Sequence, residues 1–184
     1  MKSRVQEIIE SLYVPGTKVH DVLMLHSEQV CSLAVELGHR LVAKGVEVDM
    51  DFVAEAAMLH DIGVIKTDAP GIYCFGDEPY IRHGIIGRKI LDEMGMPRHA
   101  LVCERHTGAG LSLDDILSQD LPLPHRDMLP VTIEERLVCY ADKFYSKSHQ
   151  MTIKPISKIR MQMSRFGEAS LLRFNAMAEE FGEP

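Results

Sequence analysis

The chain has 184 residues, 46% of them hydrophobic, enough to bury a core and too many for a disordered polypeptide. A formal net charge of −7 argues against a general nucleic-acid surface, but not against a phosphate substrate, because a bound metal ion reverses the local potential. Glu7 and Glu10 stand where a secretory leader needs apolar residues, no run approaches the roughly 18 apolar residues of a membrane span, and Cys31, Cys74, Cys103 and Cys139 form no CxxC pair, which together describe a cytoplasmic protein with reduced thiols and no membrane partner.

Helical periods recur along the chain and strand signals are weak. Residues 2–13 form a short amphipathic helix closed by Pro15-Gly16. A long helix from about Lys18 to Lys44 carries Val19, Val22, Leu23, His26, Val30, Leu33, Leu37 and Leu41 on one inward stripe. Asp49 or Asp51 caps the next helix, which runs through Phe52, Val53, Ala56, Ala57 and Leu59 and delivers His60 at its end. Gly63 closes that helix, and its conformational freedom lets the end open. Residues 67–79 read as an irregular loop, followed by helices at 80–94 and 97–107 and a short one at 112–118. The prolines of LPLPHRDMLP, residues 121–130, oppose helix. Thr132 and Glu135 have capping-box spacing and open a helix bearing Leu137, Val138, Ala141 and Asp142. The tail is helical on Ile156, Ile159, Met163 and Phe166, is interrupted at Gly167, and resumes through Leu171, Phe174, Ala178 and Phe181. The expected fold class is all-α, a single domain over 1–184 with its core at about 18–148 and a helical extension at about 152–181. The extension packs either on that core or against a second copy in a homodimer.

His26, His60, Asp61, His83, His106 and Asp142 are the candidate metal ligands. Imidazole with carboxylate suits iron, manganese, cobalt, nickel or zinc, whereas an all-oxygen set favours magnesium or calcium. Each has a plainer reading alone: His26 as a hydrogen-bonded core histidine, His83 and His106 as helix-end residues before glycine, Asp142 as a solvated surface group. Taken jointly they ask for a metal, since Asp142 follows Val138 by one helical turn and a carboxylate on an apolar face needs a partner. His60 and Asp61 are adjacent and cannot share an ideal helix face, so both reach one centre only if the helix end opens.

In its residues and their order, His26, then the run His60-Asp61-Ile62-Gly63, then Asp142, the chain resembles the HD-domain phosphohydrolase superfamily, specifically its HDIG subset, over approximately residues 18–148. The resemblance implies a helical bundle in which His26, His60, Asp61 and Asp142 hold a metal. His83 and His106 make it similar to the two-metal members, including bacterial diadenosine tetraphosphate hydrolases whose second added histidine is also followed by threonine. By that likeness His26, His60 and Asp142 hold one ion, His83 and His106 a second, and Asp61 bridges. Lys66 lies two positions later than in the tightest HDIGK arrangement, and the LPLPHRDMLP segment resembles a small group of uncharacterised HDIG proteins.

These readings imply a metal-dependent phosphohydrolase acting on a phosphate ester or anhydride of a nucleotide or another small phosphorylated metabolite. Two divalent transition metals are expected, iron or manganese preferred, with zinc, nickel and cobalt also compatible. Catalytic roles fall to Asp61 and to the phosphate binders Arg105 and Arg126, with Lys66 and Lys143 behind them, because a guanidinium fork suits two phosphate oxygens. His125 is a candidate proton donor and Tyr73, Phe75, Tyr80 and Tyr145 are candidate stacking residues. Gly108 and Gly110 belong to no P-loop. A di-iron oxygenase and a nonenzymatic nucleotide or metal sensor are the alternatives.

Overall fold

Helix α1 (Arg4–Leu12) begins at Ser3, whose side chain and that of Gln6 cap each other's backbone N–H groups. Thr17 caps α2 (Lys18–Val42), a 25-residue helix. Of the two aspartates considered for α3 (Met50–Leu59), Asp49 is the cap, accepting from Phe52 N–H at 3.1 Å. A 3-10 turn (Ile62–Lys66) follows. The computed structural model describes residues 2–148 and 152–184.

Residues 67–79 are more ordered than their composition suggests. Strands β1 (Asp68–Ala69) and β2 (Cys74–Phe75) pair antiparallel, Asp68 opposite Phe75 and Ala69 opposite Cys74, around a 3-10 turn at Pro70–Ile72. The helix expected from residue 80 opens as a 3-10 turn, Tyr80–Arg82, and becomes α4 (His83–Glu93). Helix α5 (Pro97–Arg105) starts on its proline, whose absent N–H costs nothing in a first turn. Helix α6 (Leu113–Ser118) carries a capping box between Ser112 and Asp115 that the sequence reading did not single out. At α7 (Ile133–Asp142) only half of the expected box forms: Thr132 accepts from Glu135 N–H, while the Glu135 carboxylate takes Val131 N–H and Arg105. The 121–130 segment is non-helical, and Met128 pairs with Leu111 in an antiparallel bridge.

The tail forms α8 (Ile156–Arg165) and α9 (Glu168–Phe181), broken where Gly167 takes φ +111°. Both pack on the bundle. The larger apolar cluster joins Leu33 and Leu37 of α2, Phe52 and Val53 of α3 and Leu137 of α7 to Ile159, Phe174 and Phe181. Tyr140 donates its hydroxyl to Gly182 O at 2.9 Å, and Arg136 pairs with Glu180. A second cluster lies under α1 and holds Ile9, Leu23, Leu59, Ile62, Leu91 and Cys103. There the fully buried Tyr13 donates to Ile62 O at 2.9 Å and accepts from Ile65 N–H at 3.0 Å, tying α1 to the 3-10 turn after α3. Among the described residues, no helix is long and apolar enough to cross a membrane.

Three glycines let the elements between these clusters nearly touch. A Cβ on Gly63 would stand 2.2 Å from His83 O and 2.4 Å from Gly87 N. One on Gly84 would stand 2.6 Å from Cys103 O, and one on Gly87 3.1 Å from Cys103 Cβ. Gly63 is not among the positive-φ glycines. Its role is therefore close approach rather than the backbone freedom expected from its place after His60-Asp61-Ile62.

Gly63→Ala must push α4 off the 3-10 turn. It is expected to cost about 1–3 kcal/mol in urea unfolding, as overpacking does, and to lower bound metal per chain. Gly45→Ala, strained at φ +84° but in open space, should cost roughly 1–2 kcal/mol and leave metal content unchanged. Full metal content in a stable Gly63→Ala protein would contradict this account.

Candidate metal centre

Most of the six candidate ligands sit at element ends, where one residue's direction is decoupled from the next. His26 comes from mid-α2; His60 caps the C-terminus of α3, and Asp61 opens the following 3-10 turn at φ −105°, ψ 12°. That break answers the adjacency problem: His60 and Asp61 do not share a helix. His83 is the first residue of α4, His106 the C-cap of α5, and Asp142 the last residue of α7.

The structure brings all six together in two overlapping groups, His26, His60, Asp61 and Asp142 in one and Asp61, His83 and His106 in the other, the ligand atoms of each within 4.8 Å of one another. Asp61 is common to both. Its Oδ2 lies 3.2 Å from His26 Nε2 and 3.1 Å from His60 Nε2; its Oδ1 lies 3.6 Å from His83 Nε2 and 3.5 Å from His106 Nε2. Asp142 Oδ1 lies 3.0 Å from His26 Nε2.

Backbone carbonyls set the tautomers. His60, His83 and His106 each place Nδ1 against the carbonyl three residues earlier, Ala57 O at 2.6 Å, Tyr80 O at 2.7 Å and Cys103 O at 2.8 Å. A carbonyl only accepts, so Nδ1 carries the hydrogen and a neutral ring presents the Nε2 lone pair inward. His83 Nε2 and His106 Nε2 then face each other at 3.1 Å, an arrangement that needs a cation or a proton between them. His60 Nε2 and both Asp61 oxygens are buried without a hydrogen bond of regular geometry. Orphaned nitrogen and oxygen donors of this type, converging at this spacing, fit divalent transition metals.

Burial and the neighbouring His106 push His83 down to about 3, and burial likewise lowers His106, so both rings are neutral near pH 7. Burial opposes a charge on His60, but Asp61 and Asp142 outweigh it and raise that ring to about 9. Burial would also raise the two carboxylates, yet both are held well below the usual range, Asp61 by the charges of Lys147 and His60, and Asp142 by the charge of Lys143 and a hydrogen bond with His26. Lys147 Nζ lies 2.5 Å from Asp61 Oδ2, and Lys143 Nζ lies 2.7 Å from Asp142 Oδ2 while donating to His106 O at 3.0 Å.

The cluster opens through Asp142, whose side chain is 11% exposed, into a cavity of about 510 Å³. That volume is in the range of small-molecule sites. Tyr80, stacked on His83 at 4.7 Å, lines it, as do Tyr145, Thr107, Lys143 and Lys147. Arg105, Arg126 and Lys66 do not. Arg105 Nη1 donates to both Glu135 carboxylate oxygens, at 2.9 and 3.1 Å, Arg126 pairs with the buried Glu104 that also takes Arg88, and Lys66 is exposed at the end of its 3-10 turn. His125 and Phe75 are exposed as well, and Tyr73, 42% exposed, lies outside the cavity lining. Lys147, Lys154 and Arg173, which the sequence reading passed over, do line it. For Lys147 the available signal was its position five residues after Asp142, just past a helix end; for the other two, on the tail, there was none.

An all-α bundle enclosing a histidine–aspartate cluster able to bind one or more divalent ions defines a protein with the catalytic potential of a metal-dependent hydrolase. Residues 23–146 match the HD domain family model, and the chain belongs to that family, within the metal-dependent phosphohydrolase superfamily. It is 35% identical over 134 residues to an uncharacterized protein of Methanocaldococcus jannaschii, covering 72% of each chain. It is also similar to tRNA (cytidine(56)-2'-O)-methyltransferases, at 34% identity over 137 residues in Picrophilus torridus and 30% over 152 in Thermoplasma volcanium. Those matches take in 74% and 82% of this chain but only 35% and 39% of the methyltransferases. No solved structure gives a significant match.

Loading with divalent metal should raise the unfolding midpoint, by about 2.7 kcal/mol of stabilisation at a hundredfold excess over Kd. Asp61→Asn should abolish most of that gain while circular dichroism stays helical. A variant stabilised as much as the parent would remove Asp61 from the ligand set.

Proposed function

We propose that this protein is a phosphohydrolase that cleaves a phosphate ester or anhydride of a nucleotide or another small phosphorylated metabolite. The observation carrying this reading is that Asp61 belongs to both ligand groups, with one carboxylate oxygen toward each. On it, His26, His60 and Asp142 would hold one ion and His83 and His106 a second, with Asp61 common to both. Two divalent ions, iron or manganese by preference, would supply Lewis acidity and a water acidic enough to ionise near neutral pH.

The chain's own groups do the remaining work. The carbonyl-locked histidines keep their Nε2 atoms directed inward without reorganisation. Lys143 and Lys147, at the mouth of the cluster, lie where they can neutralise phosphate oxygens. They take the role first assigned to Arg105, Arg126 and Lys66, whose charged groups are held by glutamates or face solvent. The relatives named as tRNA methyltransferases lend some support to a nucleotide or RNA-derived phosphate; the net charge of −7 favours a small molecule over an RNA chain. We read α8–α9 as an extension of one HD-type unit, and the free cysteines fit a reducing cytoplasm.

An untargeted metabolite-turnover screen with metal-loaded protein and Asp61→Asn as control tests this reading. The parent alone should consume a phosphorylated metabolite and release phosphate or a shorter phosphate ester, equally with and without dioxygen. Oxygen-dependent conversion of a nonphosphorylated compound would select the di-iron oxygenase instead, and tight binding without turnover a sensor.

A further inference from the structure

The cavity extends beyond the cluster to a wall made by the tail. Lys154, Met163, Phe166 and Arg173 line it there, and all lie outside the 23–146 HD match. The cations along the cavity are not equivalent. Lys143 is paired with Asp142, Lys147 with Asp61, and Arg173 with Asp115 at 2.5 Å while also donating to Ala109 O and Gly110 O. Lys154 is different: among the described residues its ammonium makes no hydrogen bond or ion pair, although it is half-buried. Its backbone is fixed, N–H to Phe144 O at 2.8 Å, and Pro155 follows directly as the cap of α8. The charge is thus held at the cavity wall by anchored main chain.

A half-buried ammonium without a partner is unfavourable unless something anionic joins it. Burial, with Lys143 and Lys147 adding to it, pushes Lys154 down to about 8 despite the attraction of Asp142. The carboxylates of the cavity are already matched to other cations. An anion from outside the chain is what Lys154 lacks.

We propose that Lys154 binds a second anionic group of the substrate, so that the protein selects phosphorylated molecules carrying two separated negative groups, one at the metal cluster and one against the α8–α9 wall. This rests on the phosphohydrolase reading for the first group and adds the second. Because Lys154 belongs to the tail, selectivity resides in the extension while the ligands of the cluster come from the HD bundle.

Calorimetry on the metal-loaded protein with nonhydrolysable probes tests this. Alkylphosphonates carry one anionic group, α,ω-alkanebisphosphonates of graded length carry two, and ω-carboxyalkylphosphonates distinguish a carboxylate from a second phosphate. At least one doubly anionic probe should bind about tenfold or more tighter than the alkylphosphonate of equal length, the scale of one charge-assisted contact. Lys154→Gln should erase that advantage and leave alkylphosphonate affinity unchanged, and Lys154→Arg should keep it. The proposal is overturned if no length shows an advantage, if the advantage survives in Lys154→Gln, or if that variant weakens the singly anionic probe equally. Failure of the alkylphosphonate itself to bind would instead remove the phosphohydrolase reading, and this proposal with it.

Discussion

Backbone contact between the 3-10 turn after α3, the start of α4 and the end of α5 is the constraint on which the rest of this structure depends. Gly63 lies against His83 O and Gly87, and Gly84 lies against Cys103 O, closer than any side chain permits. His60 and Asp61 precede the first contact, His83 stands within it, and His106 follows the second by three residues. Side chains from three elements can converge within hydrogen-bond distances only because those backbones are already that close. Helix α2 and α7, packed together in the larger apolar cluster, bring His26 and Asp142 from the opposite side.

Burying this much polarity is unfavourable, and the fold offsets it locally. Carbonyls at the ends of α3 and α5, and Tyr80 O in the turn before α4, which also takes His83 N–H, accept the Nδ1 hydrogens, so each ring is satisfied by a main-chain group. Lys143 and Lys147 balance the two carboxylates. His60 Nε2 and both Asp61 oxygens are among the buried atoms left without a hydrogen bond, and those are groups a metal would take. Away from the centre the same logic gives an ordinary structural result: the buried Glu104 holds Arg88 and Arg126, and Glu135 holds Arg105 and Val131 N–H.

The helices and the six candidate ligands were readable in the sequence because their signals are local or chemically rare. Apolar residues at helical spacing mark α2, α3 and α7, and histidine–aspartate groups in the order of the HD pattern stand out against any composition. The lining of the cavity was harder to read. Arg105 was chosen because it adjoins His106, yet successive residues at a helix end point in different directions, and its guanidinium turns to Glu135. Lys154 and Arg173 reach the cavity only because α8 and α9 fold back over the bundle, a long-range event with no periodic signature. Gly63 was recognised as necessary but for conformational freedom, since nothing in the sequence reveals that α4 passes 2.2 Å from where its Cβ would be.

The central claim is that Asp61 joins two metal sites within one buried cluster. Crystals of metal-loaded protein, with diffraction recorded on both sides of the metal absorption edge, test it most directly. The account requires two anomalous peaks about 3.5–4 Å apart, one against His26, His60 and Asp142, the other against His83 and His106, with Asp61 contacting both. A single peak at full occupancy, or metal held elsewhere on the chain, would contradict it.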